Sequence, residues 1–297
     1  SDTQINHLNE NVLQITMKLS NDIEFVEIYY KFNLLKKIEI EKKSFLSNIF
    51  NISKTLKADI NTFFIPNKSE IEVIGFSKKK SLHKMVDFKI ETTTNKEISL
   101  NETKLSPIIF TALGRSGTTY FMNLLANVDE IVSDKTYPLE NRYASNLYEN
   151  ISTYSTEIMN DKFNMIAHLN DIKHKVDNNF INLSKKYNKN NPKYFVEKSM
   201  RPFYIIDSIY PKSKNIFLVR NFKDTVVSSL NFNQKRGNLR FGREHVDDDM
   251  KYIEFKSKQA RKWIYEPYIE NKENSLVIKY EDLIQNTEFE LSRVLDF

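Results

Sequence analysis

Residues 107–125, PIIFTALGRSGTTYFMNLL, combine the residue types and spacing that cradle an anion. Gly114 and Gly117 let the backbone turn sharply and approach a ligand, Ser116, Thr118 and Thr119 supply hydroxyls, and Arg115 adds a permanent cation. Ile108, Ile109, Phe110, Ala112 and Leu113 predict a strand covered on both faces, and Phe121, Leu124 and Leu125 predict an amphipathic helix beyond the turn. A helix starting there offers unpaired N–H groups and the positive end of its dipole to whatever fills the loop. Phosphate is the expected guest.

The loop departs from the nucleoside-triphosphate form G-x-x-x-x-G-K-[ST]: Ala112 occupies the first glycine position and Thr118 stands where the lysine belongs. No carboxylate for Mg²⁺ is evident at the next strand end, which weakens an ATP or GTP assignment. The cation sits inside the loop instead, at Arg115. GRSGTT resembles the 5′-phosphosulfate loop of the sulfotransferase family, which binds 3′-phosphoadenosine 5′-phosphosulfate (PAPS).

NIFLVRNFKDTVVSSLNF, residues 215–232, predicts a second strand, turn and helix, with Arg220 at the strand's carboxyl end and Ser228 inside the helix, both able to face one anion. The guanidinium fork donates two parallel hydrogen bonds to a phosphate. A helix capped by Asn221 or Asp224, with Arg220 in a surface ion pair, is the plain structural alternative. In sulfotransferases a strand-end Arg followed eight positions later by Ser holds the 3′-phosphate, and Arg220 and Ser228 match that pattern. VIKYEDL, residues 277–283, is similar to the family's late YEDL strand end, where Tyr280, Glu281 and Asp282 would close the sheet edge and orient loops. The three matches fall in the family's order between Pro107 and Phe297, and they imply a PAPS-dependent enzyme of the bacterial, carbohydrate-sulfotransferase-like kind.

The same resemblance assigns the acceptor side. TYPLENRYAS, residues 136–145, resembles the family's YPxExR segment and makes Glu140 the expected general base, although a carboxylate at a helix N-terminus would sit there for the dipole alone. Arg142 orients Glu140 or binds an acidic acceptor. Lys198 in YFVEKSM resembles the EK[ST]P segment and would touch the transferring group, with Met200 where proline is commoner. Arg115 would stabilise the leaving phosphate. Some relatives use histidine as base, and of the five here His168 and His174 fall in the expected acceptor region, His168 being taken as substrate-binding. The loop 233–244, with Lys235, Arg236, Arg240 and Arg243 around Gly237 and Gly242, either lids the nucleotide, meets an anionic acceptor, or is ordinary exposed loop. No cluster has metal-ligand spacing, and the expected chemistry needs no metal.

Strand–helix alternation after Pro107 predicts a parallel sheet with helices on both faces, a P-loop-type α/β domain over 105–297. Before it, period-two patterns at Leu13–Leu19, Val26–Tyr30, Ile38–Ile40 and Val86–Ile90, with INTFFIP and EIEVIGF, predict about six strands of a small antiparallel β-sandwich. A short helix is expected within 44–59 and a linker over 92–106, so residues 1–104 form an accessory domain.

The chain has no cysteine, which excludes disulfides and thiolate chemistry and fits a reducing, cytoplasmic setting. A net charge of +5, spread over a lysine-rich surface, suits anionic ligands but gives no basic helix for nucleic acid. No apolar run reaches the roughly 18 residues of a membrane span, and no signal segment opens the chain. A start without Met and a stop inside a helical pattern read as a fragment. The expected function is sulfuryl transfer from PAPS to an acceptor hydroxyl, carbohydrate favoured. A P-loop kinase or NTPase and a non-catalytic nucleotide- or glycan-binding module are the alternatives.

Overall fold

The computed structural model describes residues 3–9, 12–19, 23–30, 33–40, 54–62, 64–65, 69–77, 82–89, 104–136, 139, 141–151, 162–198, 203–210, 213–237, 239–246 and 248–297. They divide into two compact units, one of residues 1–100 with 148–171 and one of 101–147 with 172–297.

In the first unit, alternation of apolar and polar side chains produces two antiparallel sheets. Strands β1 (Thr3–Asn9), β2 (Val12–Leu19) and β5 (Lys54–Asn61) form one, and β3 (Ile23–Tyr30), β4 (Asn33–Glu39), β6 (Glu70–Ser77) and β7 (Leu82–Lys89) the other, in the order β4-β3-β6-β7. Leu13, Ile15 and Met17 lie opposite Ile60, Ala58 and Leu56, and all six are buried, so β2 and β5 turn one shared face inward. Ile28 and Tyr30 do the same opposite Val73 and Ile71.

Two local expectations are corrected here. Residues 54–61 are a strand rather than part of a helix, because pairing with β2 buries Leu56, Ala58 and Ile60 together; the rest of the expected helix, 44–53, lies outside the described residues. β1 is an additional strand whose polar sequence carries no strong alternation and whose Ile5 and Leu8 are exposed. Most of the expected linker, 92–103, also lies outside the described residues.

The second unit alternates strands with helices: β8 (Ser106–Ala112), α1 (Thr118–Asn127), β9 (Ile131–Val132), α2 (Tyr143–Ile151), α3 (Lys162–Lys186), β10 (Tyr194–Glu197), α4 (Phe203–Ile209), β11 (Lys214–Val219) and α5 (Phe222–Arg236). Then come α6 (Asp249–Ala260), a π-helical turn (Arg261–Tyr265), α7 (Glu266–Glu270), β12 (Ser275–Lys279), α8 (Tyr280–Gln285) and α9 (Thr287–Asp296). The last residues of α2, 148–151, and the first of α3, 162–171, group with the first unit.

The five strands are parallel in the order β12-β11-β8-β10-β9. β8 is central and buried on both faces, which explains its unbroken apolar run. Ile108, Phe110 and Ala112 on one face share a core with Phe121, Met122 and Leu125 of α1 and with Leu283 and Val294 beyond β12. On the other face Phe195 stacks on Phe180 of α3, 4.3 Å between centroids, and Phe217 meets Tyr268 of α7 edge-on. The chain leaves β8 toward β9 and β10 on one side and returns to β11 on the other, so the carboxyl end of β8 is the switch point where such sheets bind ligands. No helix among the described residues is long and apolar enough to cross a membrane.

Candidate active site

The turn after β8 closes tightly, with Ser116 N–H donating to the Leu113 carbonyl at 3.3 Å. Arg115 adopts φ 72° and Gly117 φ 86°, a left-handed pair that only the second residue accepts freely. Gly117 is the N-cap of α1 and has no side chain to cap it, and the first turn holds no acidic residue. The N–H groups of that turn are therefore left for an anion. Ser116 and Thr118 are buried beneath the loop and Thr119 is half-buried.

Both loop glycines are also required by neighbours. A methyl at Gly114 would lie 2.6 Å from Cδ1 of Phe241, and one at Gly117 would lie 2.2 Å from the ring of Tyr280.

Register sets the β11–α5 turn beside the loop after β8. Leu218 of β11 pairs with Ala112 of β8, so Arg220 emerges level with the loop, and its Nη1 donates to the Arg115 carbonyl at 3.1 Å. Arg115 reciprocates from its side chain, Nε donating to Ser228 Oγ on α5 at 3.3 Å. The Arg115 guanidinium lies 4.8 Å from the centroid of Phe232, and that of Arg220 lies 4.9 Å from the centroid of Tyr280. Arg220 Nε is buried without a hydrogen-bond partner.

Asn221 caps α5 by accepting from Asp224 N–H, and its own N–H donates to Glu281 Oε1 at 3.0 Å. Tyr280 and Glu281 thus open helix α8 instead of ending a strand, and they hold the loop and the α5 turn from β12's side. Asn221 is a cap, as the plain reading of this segment has it, while Arg220 turns toward the loop.

On the other flank of β8, β10 ends at Glu197, opposite Ile109, and half-buried Lys198 follows at its carboxyl end. Glu197 is the site feature that sequence patterning missed. It is 3% exposed and accepts from Ala144 N–H at 2.7 Å, Ser145 N–H at 3.0 Å and Ser145 Oγ–H at 2.8 Å, so it caps α2 from another element. Burial pushes its carboxyl above the ordinary range, against those hydrogen bonds and the nearby Arg142 charge. A glutamate closing the apolar run YFVE was the available signal.

Glu140 lies outside the described residues, as do Tyr137, Pro138 and Met200. Among the described residues near Glu140 in the chain, Asp134 accepts from Thr136 N–H at 3.0 Å, Thr136 Oγ–H at 2.8 Å and Asn141 Nδ2 at 2.6 Å, and Leu139 is buried at φ 65°. Burial raises the Asp134 carboxyl, but the hydrogen bonds from Asn141, Thr136 and Tyr187 outweigh it and hold it low. Asp134 and Thr136 form an Asx-type turn whose D-x-T spacing was legible beforehand. Arg142 immediately precedes α2; His168 lies on α3 within the stretch that groups with the first unit.

The turn after β8 and the β11–α5 turn therefore meet at the carboxyl end of the central strand, the position at which open parallel sheets bind ligands. The sequence profile of the sulfotransferase family matches residues 107–297, and the chain belongs to that family. It is accordingly a transferase.

Solved structures that resemble it include three sulfotransferases. The sulfotransferase domain from the curacin biosynthetic pathway is 18% identical, TM-score 0.40, over 65% of this chain and 74% of that one. The sulfotransferase domain from the Synechococcus PCC 7002 olefin synthase is 16% identical, TM-score 0.38, over 66% and 74%. The sulfotransferase from Alicyclobacillus acidocaldarius is 14% identical, TM-score 0.38, over 63% and 77%. The curated proteins include no match.

Proposed function

We propose that the protein transfers the sulfuryl group of PAPS to an acceptor hydroxyl, with a carbohydrate or surface polysaccharide as the favoured acceptor. The observation that carries the donor assignment is the direct joining of two anion-binding elements, Arg220 to the Arg115 carbonyl and Arg115 to Ser228. A nucleotide with phosphates on both the 3′- and the 5′-oxygen of one ribose spans such a pair. The buried, unpartnered Arg220 Nε and the first turn of α1, which has no capping side chain and no acidic residue, fit the same ligand.

The acceptor oxygen attacks sulfur in line, forming an O–S bond as the bond from sulfur to the 5′-phosphate oxygen breaks. Arg115 and the first N–H groups of α1 stabilise the charge left on the phosphate, and Lys198 stabilises the sulfuryl oxygens. Glu140 accepts the hydroxyl proton, with Arg142 orienting it. The acceptor class rests on the YPLENR segment and on the arginines of the loop 233–244.

Titration calorimetry with adenosine 3′,5′-bisphosphate and with ATP–Mg²⁺ tests the donor, and transfer of labelled sulfate from PAPS across an acceptor screen tests the reaction. Metal-free binding of the bisphosphate and turnover that Glu140→Gln lowers while sparing binding are expected. Binding of ATP–Mg²⁺ alone would favour a kinase instead.

A further inference from the structure

We infer that Phe241, in the loop after α5, is a positioning residue that holds the anion loop and Arg115 in their binding geometry. The inference rests on the donor site proposed above.

Phe241 sits at φ 60°, a left-handed conformation that is costly for a residue with an aromatic side chain. An apolar ring needed only for packing has no reason to be held there. The surrounding structure nevertheless fixes it from several directions. Asn233, buried on α5, donates from Nδ2 to the Arg240 carbonyl and accepts from Arg240 N–H, both at 3.0 Å, which clamps the residue before Phe241. Tyr252 of α6 donates its hydroxyl to the Phe241 carbonyl at 3.2 Å. Gly242 follows at φ 88°, and a methyl there would meet the Phe255 ring at 2.1 Å.

The ring held this way makes two contacts with the site. Its Cδ1 stands 2.6 Å from where a methyl on Gly114 would lie, so it closes the space beside the first residue of the anion loop. Its edge also meets Phe232, 5.4 Å between centroids at 72°, and Phe232 is the ring over which the Arg115 guanidinium sits at 4.8 Å. Phe241 therefore touches both the backbone that precedes Arg115 and the ring that seats its side chain. Arg115 is itself strained at φ 72°, and in that seat it donates to Ser228. Two strained residues, far apart in the chain, support one another across the site.

A positioning role predicts an effect that passes through Arg115. Binding of adenosine 3′,5′-bisphosphate is measured by calorimetry for the wild type, Phe241→Leu, Phe241→Ala, Arg115→Ala and the Arg115→Ala/Phe241→Leu pair, with thermal unfolding of each. Phe241→Leu keeps apolar bulk for folding and loses the edge contact; it should weaken binding about tenfold. In the Arg115→Ala background the same substitution should weaken binding less, because only its contact with the Gly114 backbone is left to lose, whereas any loss of thermal stability persists in full in both backgrounds. Phe241→Ala, if folded, should weaken binding at least as much. If the wild type binds the bisphosphate and Arg115→Ala weakens it, but Phe241→Leu changes nothing or acts equally in both backgrounds, the inference is overturned and the donor site stands. Failure of the wild type to bind overturns the donor assignment and this inference with it.

Discussion

Arg220 is placed by strand register, held by the Arg115 carbonyl and stacked over Tyr280, and its buried Nε has no hydrogen-bond partner. Charge-assisted hydrogen bonds to a phosphate contribute about 1.5–3 kcal/mol each, so Arg220→Ala should weaken bisphosphate binding roughly 10- to 100-fold. Lysine retains the charge but not the planar fork, and Arg220→Lys should recover only part of that loss. An unchanged dissociation constant in Arg220→Ala, measured by calorimetry at fixed salt, would remove Arg220 from the phosphate site. Both residues of the Arg220–Ser228 pair were legible in the chain, because strand end and helix face are local properties. The reciprocal bonds that join them to Arg115 were not, because they depend on which strand lies beside β8.

Helix α2 illustrates what a single distant side chain does for a whole element. Its first-turn donors at Ala144 and Ser145 are satisfied by Glu197, the last residue of β10, so the segment before α2 and the strand end beside Lys198 are fixed to each other. Replacing Glu197 with alanine leaves buried N–H groups unpaired and should cost about 1–3 kcal/mol in urea unfolding.

The pH dependence has a definite sign. Burial holds the Glu197 carboxyl above its unfolded value, so its contribution to stability is full below the unfolded value and is lost as pH rises through the folded one. The advantage of the wild type over Glu197→Gln should therefore narrow from mildly acidic pH toward neutrality; a gap that widens counts against the assignment. At the same scale, the first residues of β5 fall in the segment 44–59 where a short helix was expected, with Ile60 already in an expected strand. Pairing with β2 decides it, since only a strand there buries Leu56, Ala58 and Ile60 against Met17, Ile15 and Leu13.

For the molecule as a whole, Lys256 is a buried charge with a cost to stability. It is 1% exposed on α6, donates to Gln259 Oε1 at 2.7 Å, and burial pushes its ammonium down to about 8 against the opposing pull of Glu244. A lysine whose folded value is depressed adds stability above its unfolded value and loses it as pH falls through the folded one, so at pH 7 the buried charge is carried at a cost. Lys256→Met should raise the unfolding free energy at pH 7 by about 1–3 kcal/mol, with the gain shrinking as pH approaches 10. A variant less stable than the wild type at pH 7, or a difference independent of pH, would show that the charge is compensated.

The sequence by itself determined two strand–turn–helix units, with GRSGTT at one and Arg220 to Ser228 at the other, the alternating strands that precede them, and the family. Each follows from glycine freedom, helix dipoles and side-chain periodicity, which act over a few residues. Only the tertiary structure decided that Phe241 closes against Gly114, Tyr280 against Gly117, and Glu197 against the start of α2. Those contacts join distant parts of the chain. They arise from the strand order β12-β11-β8-β10-β9, which brings separate carboxyl ends together at one edge and leaves no trace in local sequence.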